Sequence, residues 1–155
     1  MRTAVNTAQD TAPTENDLAL VTRSFDQVVP IAGVAADLFY ARLFEIAPAL
    51  RPMFPEDMRD QKRKLFVMIA TAVQGLGDLG RLVPQVKALG ARHTNYGVKA
   101  EHYAIVGAAL LWTLERGLGN AFTPEVKLAW TRVYGLLAAT MQAGADETIT
   151  MRAAE

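Results

Sequence analysis

The 155-residue chain is 51% apolar, enough for one domain built around a sizeable core. Sixteen basic and sixteen acidic side chains cancel to a formal charge of zero. With no basic stripe, phosphate-driven nucleic-acid binding has no electrostatic support. The absence of cysteine removes disulfides, iron–sulfur clusters, thiolate ligation and every cysteine-containing zinc site; no run of about eighteen apolar residues is present to span a membrane. The expectation is a cytoplasmic single-domain protein in a reducing compartment.

Residues 1–13, rich in Thr and Ala and lacking the apolar core of a signal peptide, read as a disordered lead-in. Thr14 with Asp17 three residues on resembles a capping box, and Leu18, Val21, Phe25 and Val28 follow at helical spacing. Pro30 closes this helix and opens the next, expected over Ile31–Glu45. Its face through Ala36, Tyr40, Leu43 and Phe44 is apolar apart from the Tyr40 hydroxyl, which needs a partner, most often a backbone carbonyl. Pro48, Pro52 and Pro55 then make a turn-rich corner in which Phe54 reads as a core anchor.

A third helix is expected over Glu56–Leu76. Gln61, Leu65, Met68 and Ala72 share one stripe, so Gln61 heads the apolar face. Lys62, Arg63 and Lys64 form a basic cluster, either a solvated face or the rim of a pocket that pairs with a ligand's carboxylates. Gly75–Gly80 (GLGDLG) breaks the pattern, and Leu82–Tyr96 resumes it with Leu82, Val86, Leu89 and His93 on one stripe. Gly97 is placed to stop that helix in a left-handed conformation. Ala100–Leu118 is apolar on nearly all sides and is expected to be the most buried helix. Thr123 and Pro124 open a last helix to about Ala143, packing through Val126, Ala129, Trp130, Val133, Leu137 and Met141. Residues 146–155 read as a loose tail and 14–145 as the folded domain, all-α, with six to eight helices.

Three helices thus each bring one polar side chain to an apolar stripe: Tyr40, Gln61 and His93. If the stripes face a common space, one imidazole lies opposite two neutral donors. That set suits a flat iron macrocycle carrying a diatomic ligand. It does not suit zinc, which wants further nitrogen or oxygen ligands, nor hydrolysis, since no carboxylate pair faces inward. The competing reading makes His93 a structural residue.

The segments LFYARLF, AP and MF (Leu38–Phe44, Ala47-Pro48, Met53-Phe54) resemble the second helix and following corner of the globins. DQKRKLFVMI (Asp60–Ile69) is similar to their distal helix, LGARHTNYGVKAEHYAIVG to the proximal-histidine segment and next helix, and AWTRVYGLLAATM (Ala129–Met141) to the final helix. The resemblance covers residues 14–145 and is to single-domain bacterial globins of the neuroglobin-like and Hell's Gate types. It implies the globin fold around a pocket for haem b (iron protoporphyrin IX), with His93 as the iron ligand and Phe54 wedging the haem at the corner. Leu89 would pack beneath the haem, its carbonyl accepting the other ring N–H of His93. Gln61, Tyr40 and Leu65 fall at distal positions; Lys64 and Arg92 would pair with the propionates; Val98, Tyr103 and Val106 would line the proximal side and haem edge. His102 matches no ligand position and reads as a helix-start surface residue.

Two departures matter. Gln61 is not a nitrogen ligand, so iron held by two histidines is excluded at that position. Ala145 stands where flavohaemoglobins place a glutamate near the proximal histidine. The resemblance therefore implies a protein that reversibly binds O2, and also NO or CO, as a monomer or weak dimer with no nucleic-acid or membrane partner. The alternative is a nitric oxide dioxygenase, detoxifying NO to nitrate with O2, which needs a separate reductase. A sensor is the third reading.

Overall fold

The computed structural model describes residues 12–95 and 98–154, with side chains omitted at 94, 95 and 147–154. The expected lead-in before residue 12 and the Gly97 stop lie outside the described residues. Among the described residues there are six α-helices and no strand. They are α1 (Glu15–Val28), α2 (Ala32–Ile46), α3 (Arg59–Gly75), α4 (Leu79–Asn95), α5 (Ala100–Leu118) and α6 (Pro124–Ala154), with short 3₁₀ turns over Val29–Ile31, Pro48–Met53 and Gly119–Ala121. The all-α expectation holds.

Local chemistry sets the boundaries. At α1 the Thr14 hydroxyl accepts from the Asp17 amide at 3.1 Å, and the Asp17 carboxylate accepts from the Thr14 amide at 2.9 Å, the reciprocal cap read from the sequence. The start of α3 falls at Arg59, not Glu56, because the Asp57 carboxylate takes the Arg59 amide at 3.1 Å and its guanidinium besides. Helix α4 begins at Leu79 rather than Leu82, since Asp78 ends the glycine break and its side chain accepts from the Arg81 amide at 3.3 Å. Helix α6 runs to Ala154, past Ala143; residues 143–154 hold no proline to stop it.

Two apolar clusters form the interior. The larger joins α1, α3, α4, α5 and α6 through Val21, Phe25, Val73, Leu82, Val86, Leu114, Trp130 and Val133. Burying side chains of this size contributes about 1.5–3 kcal/mol each. Phe25 stacks on Phe66 with centroids 5.3 Å apart. The indole N–H of Trp130 donates to the buried Ser24 hydroxyl at 2.8 Å, which itself donates to the Leu20 carbonyl, so the polar atoms trapped here are satisfied. Asp17, the partner of Thr14 in the α1 cap, also accepts from the Arg132 guanidinium at 3.1 Å and ties α1 to α6. The smaller cluster gathers Phe39, Tyr40, Leu43, Leu50 and Ala109, with Phe44, Phe54, Leu65 and Val106 packed against it.

Helix α5 is not the most buried element. Ala104 and Ala108 face outward, and half-buried Trp112 lies beneath the guanidiniums of Arg42 (5.1 Å) and Arg116 (4.1 Å). An alanine-rich face reads as core in sequence yet costs little when left in water. Helix α2 buries a larger share of its residues, Ala35, Ala36, Phe39, Tyr40 and Leu43 among its fifteen.

Candidate functional site

Between α3, α4, α5 and α6 lies an apolar cavity with about 790 Å³ of empty space, its mouth included. Leu65 and Met68 of α3, Leu89 of α4, and Tyr103 and Val106 of α5 line it, with Phe39 of α2 at one side and Val133, Tyr134 and Leu137 of α6 closing it. Of the candidate site residues, Leu65, Leu89, Tyr103 and Val106 line it, whereas Tyr40, Phe54, Gln61, Lys64, Arg92, His93 and Val98 do not.

Each of the two leucines stands one helical turn from a polar group. Leu65 follows Gln61 by four residues, and Gln61 Nε2 donates to the Tyr40 hydroxyl oxygen at 3.2 Å. The expected backbone partner for Tyr40 is thus replaced by a side chain from the next helix. Tyr40 is only 4% exposed and lies edge-on to Phe39 and Phe54, whose centroids are 5.0 and 5.6 Å away. Burial pushes its phenol above the usual tyrosine range, outweighing the opposing effect of the Gln61 hydrogen bond. Because Gln61 occupies the oxygen as a donor, the phenolic proton remains one that Tyr40 can give to a third group.

Outside this pair, Asp37 and Lys62 form an ion pair at 2.8 Å, one residue from Gln61 and three from Tyr40. It pins the same α2–α3 crossing at the surface, where such a pair contributes under about 1 kcal/mol. Of the basic cluster, Lys62 is paired to Asp37 and Arg63 to Asp60 at 2.8 Å. Lys64 is exposed and makes no ion pair among the described residues. Arg92 is exposed too, and neither it nor Lys64 lines the cavity.

Leu89 precedes His93 by four residues. The His93 Nδ1 lies 2.8 Å from the Leu89 carbonyl oxygen. A carbonyl can only accept, so this bond puts the ring proton on Nδ1 and the lone pair on Nε2, the tautomer that a metal-binding histidine needs. The half-buried Val98 donates its amide to the His93 carbonyl at 3.1 Å, turning the chain out of α4 toward α5. His102 has the modest role expected of it: its Nδ1 accepts from the Lys99 amide at 2.9 Å and caps α5. No group of three or more His, Cys, Asp or Glu side chains able to hold a metal ion occurs among the described residues. Phe54 packs at the corner, its ring 5.4 Å from Phe44.

Sequence reasoning missed Tyr134. Its hydroxyl donates to the Tyr103 carbonyl at 2.6 Å, and its ring fits only because residue 107 is glycine: a Cβ there would lie 2.7 Å from the ring. Burial, and then the neighbouring Tyr103 phenol, push Tyr134 far above the usual tyrosine range. Its spacing of four from Trp130 was the available signal, but Trp130 and Val133 already accounted for that face.

A family model described as Globin matches residues 37–141. The flavohemoprotein of Bacillus subtilis is 36% identical over 103 residues, 64% of this chain and 26% of that protein. The flavohemoprotein of Bordetella parapertussis is 37% identical over the same length and shares. The chain spans about a quarter of the length of these curated relatives. Among solved structures, a bacterial globin from Campylobacter jejuni superposes with a TM-score of 0.73 at 25% identity, covering 88% of this chain and 99% of that one. This fold and this stretch of matched sequence place the chain in the globin family.

Proposed function

We propose that the chain binds haem through His93 and reversibly holds a diatomic ligand, O2 foremost, beside Tyr40 and Gln61. One observation carries the reading. The apolar cavity is bounded by two leucines, each a single turn from a polar group of complementary kind, an imidazole tautomer with Nε2 as its lone pair and a hydrogen-bonded Tyr–Gln pair. The residues fit the group. The cavity is apolar enough for a porphyrin, and a lone imidazole suits iron in a macrocycle that supplies the other equatorial ligands. Haem held here would supply an iron with a coordination site for O2, NO or CO.

The chain's own residues do the rest. Leu89 fixes the ring orientation of His93. Leu65, Val106 and Tyr103 exclude water, which strengthens any hydrogen bond made inside. Tyr40, kept protonated by burial and steadied by Gln61, is the donor to a ligand that gains negative charge. Lys64 and Arg92 are the cations for the haem propionates, and Phe54 holds the corner against Tyr40 and Phe44. Absorbance decides the matter: purified protein given haem should show an intense Soret band whose position shifts on reduction and again on CO addition. Protein that takes up no haem would end the proposal.

The Tyr40–Gln61 pair favours a second reading, NO dioxygenation. This segment would then depend on a reductase as partner. Many turnovers of NO to nitrate with a cellular reductase and NAD(P)H would establish it; a single stoichiometric turnover would leave ligand binding as the function.

A further inference from the structure

Helix α4, which carries His93, has little helical strength of its own. It contains Gly80, Pro84 and Gly90 within seventeen residues, and each disfavours helix relative to alanine. Short helices of this kind take their order from what they pack against. The closest approach is to α6, and it is reciprocal. A Cβ on Gly90 would run into the Met141 carbonyl oxygen, and one on Gly144 into the Lys87 carbonyl oxygen. Lys87 and Gly90 are three residues apart on α4, as are Met141 and Gly144 on α6, and the pairing order is reversed. The helices therefore cross antiparallel, backbone on backbone, with each glycine Cα against the other helix's carbonyl. Such contacts suit Cα–H···O interactions, and only glycine permits them at this separation.

Gly90 stands one residue after Leu89, whose carbonyl holds His93, and three before His93 itself. We infer that Gly90 and Gly144 form a backbone clasp that fixes α4 on α6, so that they act as positioning residues for His93. Helix α6 then sets where the imidazole stands. A side chain on either glycine forces the helices apart against backbone, which has no rotamer to yield, and the displacement passes directly to the Leu89 carbonyl and the His93 ring. Gly135, also on α6, has open space at its Cβ position and is the matched control.

The consequence for iron ligation rests on the haem reading; the clasp itself does not. The first experiment is therefore amide hydrogen exchange on the full-length chain before haem is supplied. Amides of residues 86–93 should be protected as well as those of residues 133–141, and α4 amides exchanging as fast as turns would overturn the clasp. The second is resonance Raman of the ferrous haem-loaded parent, Gly90→Ala, Gly144→Ala and Gly135→Ala. Both clasp variants should shift the iron–histidine stretching frequency and lose haem about tenfold faster, equivalent to about 1.4 kcal/mol, with Gly135→Ala matching the parent. Folded clasp variants with the parent's frequency and haem-loss rate would refute the positioning role. If either variant fails to fold, hydrogen exchange on the parent decides. A parent that takes up no haem removes the haem reading and leaves the exchange result to judge the clasp.

Discussion

Replacing Tyr40 by phenylalanine removes one oxygen from an otherwise preserved ring. Tyr40 is 4% exposed, and three phenylalanine rings surround it, Phe39, Phe44 and Phe54. The packing should survive, so the variant isolates the hydrogen bond. A donor aimed at a ligand with anionic character is worth about 1.5–3 kcal/mol in a dry site, which is about ten- to a hundredfold in the O2 release rate. Gln61→Leu removes only the group that holds the Tyr40 oxygen at 3.2 Å. A neutral bond of this kind contributes about 0.5–1.5 kcal/mol, so release should rise about two- to tenfold. Because Gln61 acts through Tyr40, the double variant should release O2 no faster than Tyr40→Phe alone, a coupling that a double-mutant cycle measures directly. Stopped-flow release into excess CO gives all four rates. An unchanged rate in Tyr40→Phe removes the assigned role of the hydroxyl, and strictly multiplicative effects show that Gln61 reaches the ligand independently. Since burial holds the Tyr40 phenol above its ordinary value of 10.0, the parent's release rate should stay flat from about pH 6 to 10. A break below pH 10 would mean that the phenol ionises there and is not the buried donor described.

His93→Ala should abolish tight haem binding, read from the Soret absorbance on haem titration, while His102→Ala keeps it and loses only about 1 kcal/mol of cap stability. Asp17→Asn should cost roughly 2–3 kcal/mol in urea unfolding at pH 7, because Arg132, with 25% of its side chain exposed, loses its partner. Burial alone would raise the Asp17 carboxyl, but the Thr14 amide, the Arg132 guanidinium and the Thr14 hydroxyl outweigh it and hold the group below 3.8. The lowered folded value means that this stability is fully present above the unfolded value. It is lost as pH falls through the folded one, so the gap between variant and parent should close only below about pH 4. Gly107→Ala puts a methyl 2.7 Å from the Tyr134 ring and should destabilise by about 1–3 kcal/mol; an unchanged unfolding midpoint would show that the ring is free to move.

Much of this fold was written in local patterns that act over one or two turns. The Thr14–Asp17 cap, the Pro30 break, the apolar stripe ending in His93 and the Thr123-Pro124 start all depend on neighbours in sequence, and each appears where expected. The Leu89 carbonyl lay one turn from His93, so helical geometry alone made it available. What the sequence hid are contacts between distant segments. The Tyr40–Gln61 bond joins residues twenty-one apart, and its two members could be listed as stripe-heading polar groups without being paired. Arg132 to Asp17 and Trp130 to Ser24 span more than a hundred residues. The exposure of α5 went unread because alanine scores as apolar while demanding no burial. Gly90 and Gly144 went unnoticed for the opposite reason: a glycine inside a helix looks like a weakness until the backbone it admits is in view.

The polar groups one turn beyond Leu65 and Leu89 differ in kind, and under the haem reading this bears on what the site can do. On the Tyr40 side a buried phenol is joined to a half-buried amide, an arrangement that under the haem reading would hold a ligand by donating to it. On the His93 side the ring proton goes to the backbone carbonyl of Leu89, a neutral acceptor, and residue 145 is alanine. A carboxylate there would make the imidazole more anionic and push electron density toward a bound ligand, which favours splitting an O–O bond. A neutral acceptor gives less push. Under the haem reading, strong retention with weak push would keep O2 intact, in line with the proposed reversible binding rather than peroxide cleavage. Ala145→Glu tests the reasoning. Should the carboxylate reach the imidazole, the iron–histidine stretching frequency rises and peroxide consumption accelerates, with O2 release by the Tyr40 side little changed. A higher frequency with no gain in peroxide consumption would show that proximal charge does not limit the chemistry, and that the distal pair alone sets it.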